Sequence, residues 1–197
     1  MPQSMSVADA QREVRSVFLS GSVGQAVSGS IWLISALAAS IAGVRAAVLI
    51  LVAGGAFIFP LTQLVLRLLG RRASLAATNP LNALAMQVAF IVPLMLPVAG
   101  AAALYRTDWF YPAVMVVVGA HYLPFIFLYG MRAFGVLAGV LLGGGVLLAL
   151  RGRGEFADGA WFTAVALLAF AAWAALAHRR EPAHVGHAMV PSREEVP

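Results

Sequence analysis

The chain has 197 residues, of which 61% are hydrophobic and only 11% charged, with a net charge of +5 and no cysteine. A soluble domain carries roughly 25% charged residues, so this composition, with a mean hydropathy of +0.89, excludes an ordinary water-soluble fold. The missing thiols exclude disulfides, thiolate metal sites and cysteine nucleophiles.

In chain order, residues 5–19 come first. They hold an apolar stripe at Val7, Ala10, Val14, Val17 and Phe18, with Asp9, Gln11, Arg12, Glu13 and Arg15 on the remaining faces. This is helical spacing, opened by Ser6 and Asp9 in a capping-box-like pair. Residues 1–19 are therefore expected to form an amphipathic helix lying in the membrane interface. No small-residue cleavage site follows in the order that a cleavable secretory leader requires.

Six apolar blocks follow, at 22–43, 46–66, 81–104, 109–131, 133–150 and 160–177. A hydrocarbon core about 30 Å thick is crossed by about twenty helical residues. No water is available there to satisfy the backbone, so each block is expected to be a helix. The longest loop, 67–80, contains Gly70 and ends in an Asn79-Pro80 turn. The fold class is thus all-α: a polytopic membrane protein with a six-transmembrane-helix bundle at 20–177. Residues 178–197 hold three prolines and mixed charges without periodicity, and are expected to be a disordered cytoplasmic tail. His184-x-x-His187 in that tail has metal-like spacing but no neighbouring acids, so no metal and no cofactor is assigned.

All thirteen basic residues are arginine. Arg12, Arg15, Arg67, Arg71, Arg72, Arg132, Arg179, Arg180 and Arg193 fall on one side of the alternating spans, and Arg45, Arg106, Arg151 and Arg153 on the other. The richer side is expected to face the cytoplasm, with both termini inside a bacterial inner membrane. The pI of 10.7 is then an orientation signal. The partner is the lipid bilayer, and nucleic acid is excluded.

Gly135-x-x-x-Gly139-x-x-x-Gly143 places three glycines on one face of the fifth span. Small residues let helix backbones approach closely in lipid. The expectation is packing within the bundle, with the first span's Ser22, Ala26 and Ser30 as a matching face. A homo-oligomer is the alternative. Prolines lie in three spans, at Pro60, Pro93, Pro97, Pro112 and Pro124. Each removes a backbone donor, and such breaks either shape the bundle or line a midplane site.

None of the eight acidic residues lies inside a span, which argues against a membrane carboxylate relay and against paired-aspartate hydrolysis. No catalytic residue is assigned. The one histidine near the middle of a span is His121, within Gly119-Ala120-His121-Tyr122-Leu123-Pro124-Phe125. A charged imidazole is expensive at that depth. On an ideal helix Tyr111, Tyr122 and Tyr129 share a stripe, and His121 lies about 100° from it, in line with Arg132. Gln25, Gln63, Asn82, Gln87, Tyr129 and Arg132 all fall in the cytoplasmic halves of their spans. Either polar residues are simply tolerated near helix ends, or these converge on an inward-facing vestibule. The candidate ligand set is His121, Tyr122, Tyr129, Gln63, Gln87, Asn82, Gln25 and Arg132, with Tyr122, Gln63 and Gln87 the expected partners of His121.

Phe59-Pro60-Leu61, Asn79-Pro80-Leu81, Gln87, Pro93-Leu94, Tyr105-Arg106, Trp109-Phe110-Tyr111-Pro112, Gly119 through Phe125 and Tyr129-Gly130 resemble a family of small bacterial integral membrane proteins with no assigned activity. The resemblance runs from about Gly54 to Arg132 and implies a shared architecture without a chemistry. The function expected is a carrier or binding protein for a small neutral or weakly charged molecule, entering from the cytoplasmic side toward His121. The alternative is a non-transporting membrane subunit or sensor, associating through the fifth-span glycine face. An enzyme ranks third, because one histidine and its tyrosines supply too few catalytic groups.

Overall fold

A computed structural model of the chain describes residues 5–151 and 154–180. The His184 and His187 pair, and the expected tail beyond Arg180, lie outside the described residues. The described residues form α1 (Val7–Val17), α2 (Ser22–Ile41), α3 (Val44–Leu68), α4 (Asn82–Tyr105), α5 (Phe110–His121), α6 (Leu123–Tyr129), α7 (Ala133–Arg151) and α8 (Asp158–Arg180), with 3-10 turns at Leu19–Gly21 and Thr107–Trp109. Six helical segments are long and apolar enough to cross a membrane, α5 and α6 counting together. The architecture is the all-α six-span bundle that the apolar blocks predict, with an amphipathic helix ahead of it.

Helix α1 begins at Ser6, whose hydroxyl accepts the Asp9 N–H at 3.2 Å, and Arg12 pairs with Asp9 one turn on. Its Ala10 and Val14 are fully buried against the bundle, while Val7 stays exposed. The corner into α2 is tight: Leu19, Ser20 and Gly21 all have positive φ, at 50°, 54° and 83°. For an L-residue this region costs about 1–2 kcal/mol, so Leu19 and Ser20 are held there by their surroundings. Ser22 Oγ donates to the Leu19 carbonyl at 2.9 Å, and Ser20 Oγ lies 3.1 Å from Nδ1 of His178 in the last turns of α8. Residue 178 is thus helical rather than the start of the tail.

Helix α2 packs between α3 and α8, α5 packs between α4 and α7, and α8 closes the inner group against α5 and α7. The outer helices bury little within the chain: Ala47, Leu51 and Leu66 on α3, Val88 and Ala99 on α4. Proline breaks one span among those described. Pro60, Pro93 and Pro97 sit in continuous helices, and Pro112 lies in the first turn of α5, where its missing donor costs no helical bond. Pro124 occupies the first turn of α6, and the fourth span is interrupted at Tyr122.

The glycine expectation is corrected. A Cβ on Gly139 or Gly143 would meet nothing within 4 Å, and one on Gly135 would meet only Ile126. The first and fifth spans do not pack together as expected, because α2 spends its faces on α3 and α8. Close approach is made at other glycines. A Cβ on Gly145 would lie 2.7 Å from the Pro112 carbonyl oxygen, and one on Gly119 would lie 2.9 Å from the Leu142 backbone nitrogen. On α2 the tight position is Gly29, against Leu168 of α8. Gly119→Ala and Gly145→Ala are therefore expected to lower the melting temperature in detergent, as overpacking of about 1–3 kcal/mol does. Gly139→Ala should leave it unchanged or slightly higher, since alanine is the better helix former. Equal losses at all three positions would contradict this packing.

Candidate functional site

At 1.5 Å per residue, Gln25, Thr62, Gln63, Gln87, His121 and Tyr122 each lie roughly 5–12 Å from the end of the bundle that carries α1. They form a polar layer in otherwise apolar helices. Its centre is a buried hydrogen bond in which the Tyr122 hydroxyl donates to Gln25 Oε1 at 2.6 Å, both residues being 4% exposed. Ser28, one turn along α2, is buried beside it. In hydrocarbon neither group has water as an alternative partner, so each secures the other.

His121 ends α5 immediately before that tyrosine. Its ring lies 5.4 Å from the Tyr122 ring and 4.9 Å, edge-on, from Phe125. The imidazole lies near the backbone of Val88 on α4. Nδ1 is buried and has no hydrogen-bond partner. Thr62 Oγ1, on α3 opposite Gly24, is likewise buried and unpartnered. Below His121 the aromatic wall continues: Tyr129 stacks on Phe125 at 5.5 Å, and both pack on Phe134 of α7.

The sequence-predicted set divides. Gln25, Tyr122, His121 and Tyr129 come together along α2, α5 and α6, and Tyr111, Tyr122 and Tyr129 are all buried. The expected partners of His121 do not engage it. Tyr122 turns its hydroxyl to Gln25, Gln63 is half-buried without a hydrogen bond, and Gln87 is exposed. Asn82 belongs to the loop, donating to the Ala76 carbonyl at 2.7 Å, and Arg132 is exposed beyond the end of α6. Ser28 and Thr62 escaped the sequence reading, although Thr62 adjoins Gln63 and amides were its only guide on that span. Among the described residues no group of three or more histidines or acids is gathered for a metal.

The opposite end is closed by polar pairs of its own. Ser35, Tyr111 and the Ala47 carbonyl form a fully buried chain, at 2.6 Å and 2.8 Å. Arg106, outside the spans, donates to Asp108 at 2.5 Å, a bond that raises its pKa above the ordinary arginine value. Its guanidinium sits 5.2 Å from the Trp109 ring.

Fold and layer together define a six-span α-helical membrane protein whose inner helices are joined by buried hydroxyl and amide groups. A family model matches residues 7–177, and its description is a family of unknown function, DUF7010. The chain belongs to that family. Neither a curated protein nor a solved structure matches it.

The central bond gives a direct test. Tyr122→Phe strands the buried Gln25 carboxamide and should cost about 1–3 kcal/mol, read as a lower melting temperature in detergent. Adding Gln25→Leu removes the stranded group and should return most of the loss. A double variant as unstable as the sum of its parts would mean that the two residues act independently.

Proposed function

We propose that this chain is a carrier or binding protein of the bacterial inner membrane for a small neutral or weakly charged molecule, held in the polar layer beside His121. The observation that carries this reading is the buried, unpartnered Nδ1. An unsatisfied polar atom in hydrocarbon costs several kcal/mol, which a bound molecule would recover. With Nδ1 as the acceptor nitrogen of a neutral imidazole, the molecule brings an O–H or N–H donor, and the lack of acids within the spans favours one without a full positive charge. The position of α4, packed chiefly on α5, supports entry along its inner side. The reading is tested by screening neutral hydroxyl- and amide-bearing solutes for a thermal shift of the purified protein. At least one should stabilise the native chain, and His121→Ala and His121→Phe should both lose the shift while melting close to the parent. If alanine instead destabilises the bundle and phenylalanine restores it, the imidazole is a packing element and the reading fails.

The nine-to-four division of arginines supports a cytoplasmic position for the α1 end. In this cysteine-free chain, Ser74→Cys should resist impermeant thiol reagents in intact cells and Glu155→Cys should react. Labelling at position 74 would reverse the orientation.

A second reading is favoured by the open glycine face. Gly139 and Gly143 have no neighbour within the chain, and in lipid such a face suits a second helix. A subunit that associates through it would lose its oligomeric state in Gly139→Leu without losing its melting temperature.

A further inference from the structure

Helix α1 is tied to two elements far from it in sequence. Gln11 Nε2 donates to the Phe127 carbonyl at 2.6 Å and Arg15 Nη1 to the Tyr129 carbonyl at 2.7 Å. Both carbonyls belong to the last turn of α6, and that of Phe127 also accepts the Gly130 N–H at 3.2 Å. On its other side Glu13 accepts the Ala76 N–H at 2.7 Å and Asn79 Nδ2 at 2.9 Å. Asn79 also donates to the Ala10 carbonyl at 3.2 Å, while its Oδ1 takes the Leu81 N–H at 2.8 Å, immediately ahead of α4. One short helix thus joins the end of α6 to the beginning of α4.

These are the two elements that flank His121. The histidine sits at the α5–α6 break, and Val88, two turns into α4, stands against it. Helix α4 has little else to hold it there, since it packs mainly on α5 and the turn before it. The corner at Leu19, Ser20 and Gly21, with three consecutive positive φ values, is the joint about which α1 can turn.

We propose that α1 is a clasp. Docked, it holds α4 against α6 and closes the polar layer over His121; released, it lets the start of α4 move outward and opens that layer to the α1 end. The inference rests on the reading of His121 as a site only for what the clasp controls, and its test needs no ligand.

The test uses the full chain in proteoliposomes, with Val88→Cys (the valine is 2% exposed) as a reporter of opening and Leu167→Cys on α8, fully buried, as a control. N-ethylmaleimide is the probe. Glu13→Ala, which cuts the loop side of the clasp, should speed modification at position 88 by about tenfold and leave position 167 unchanged. Gln11→Ala with Arg15→Ala, which cuts the α6 side, should give the same pattern. If neither set changes the rate at 88, α1 is not a clasp. If both positions accelerate together, α1 supports the whole bundle and the proposal is overturned. Loss of the thermal shift in His121 variants with the clasp pattern intact, or the reverse, separates this inference from the ligand reading.

Discussion

Two buried phenol hydroxyls decide how the inner helices sit. Tyr111 gives its proton to Ser35, whose own proton goes to the Ala47 carbonyl, so one buried relay ties α5 to α2 and α2 to α3. Hydrogen bonds in such a chain polarise and strengthen one another. The second hydroxyl, on Tyr122, is answered by Gln25. The two ties are ten residues apart on α2 and eleven on α5, about 15 Å in either case, and they run in opposite order along the two helices. Two fixed points at that separation set both register and crossing angle, which apolar contact in lipid does not. Helix α3 hangs on the first tie, and α8 fits the space at Gly29 beside the second.

The interruption at Tyr122 then gives His121 its unequal surroundings. Tyr122 points inward to α2, and Pro124 starts α6 afresh so that Phe125 and Tyr129 lie one turn apart on the same face. His121, Phe125 and Tyr129 make a ladder at four-residue spacing, with Phe134 across from it and Phe170 and Trp173 beyond. In that wall each ring packs on the next. The facing wall is the backbone of α4, which carries two prolines and is buried at Val88 and Ala99. An imidazole between an aromatic wall and a lightly held one is suited to a site that opens on one side.

The spans were legible because their signal is length and apolarity, and the Ser6 start because it depends on spacing within one helix. Direction was not legible. A helix in hydrocarbon is apolar all round, so its sequence does not separate the face toward a neighbour from the face toward lipid. Gly135, Gly139 and Gly143 share a face, but whether that face meets another span depends on where the other spans stand. Gly145, about 120° round from Gly139, is the one pressed against Pro112. Asn79 reads as half of an Asn-Pro turn; its bond to Glu13 joins residues 66 apart, and no local pattern announces it. Gln25 and Tyr122 were both candidates, yet their pairing across 97 residues left His121 with a different neighbour from the one expected.

The same scarcity of charge limits the chemistry open to the polar layer. Its groups are an imidazole, carboxamides and hydroxyls, of which Gln25 and Tyr122 are already committed to each other. For the proposed ligand that leaves an acceptor at His121, with a net contribution of about 0.5–1.5 kcal/mol, beside an aromatic wall. Such a site would bind weakly and by shape more than by charge. Weak binding is a defect in an enzyme that must stabilise a transition state, but a carrier has to release what it takes up. The membrane enforces the rest: every stronger group, whether carboxylate, guanidinium or ammonium, would need a partner of its own before it could serve a ligand. A bundle that has already used its buried hydroxyls as bolts has little else to offer, and His121 is where that remainder is concentrated.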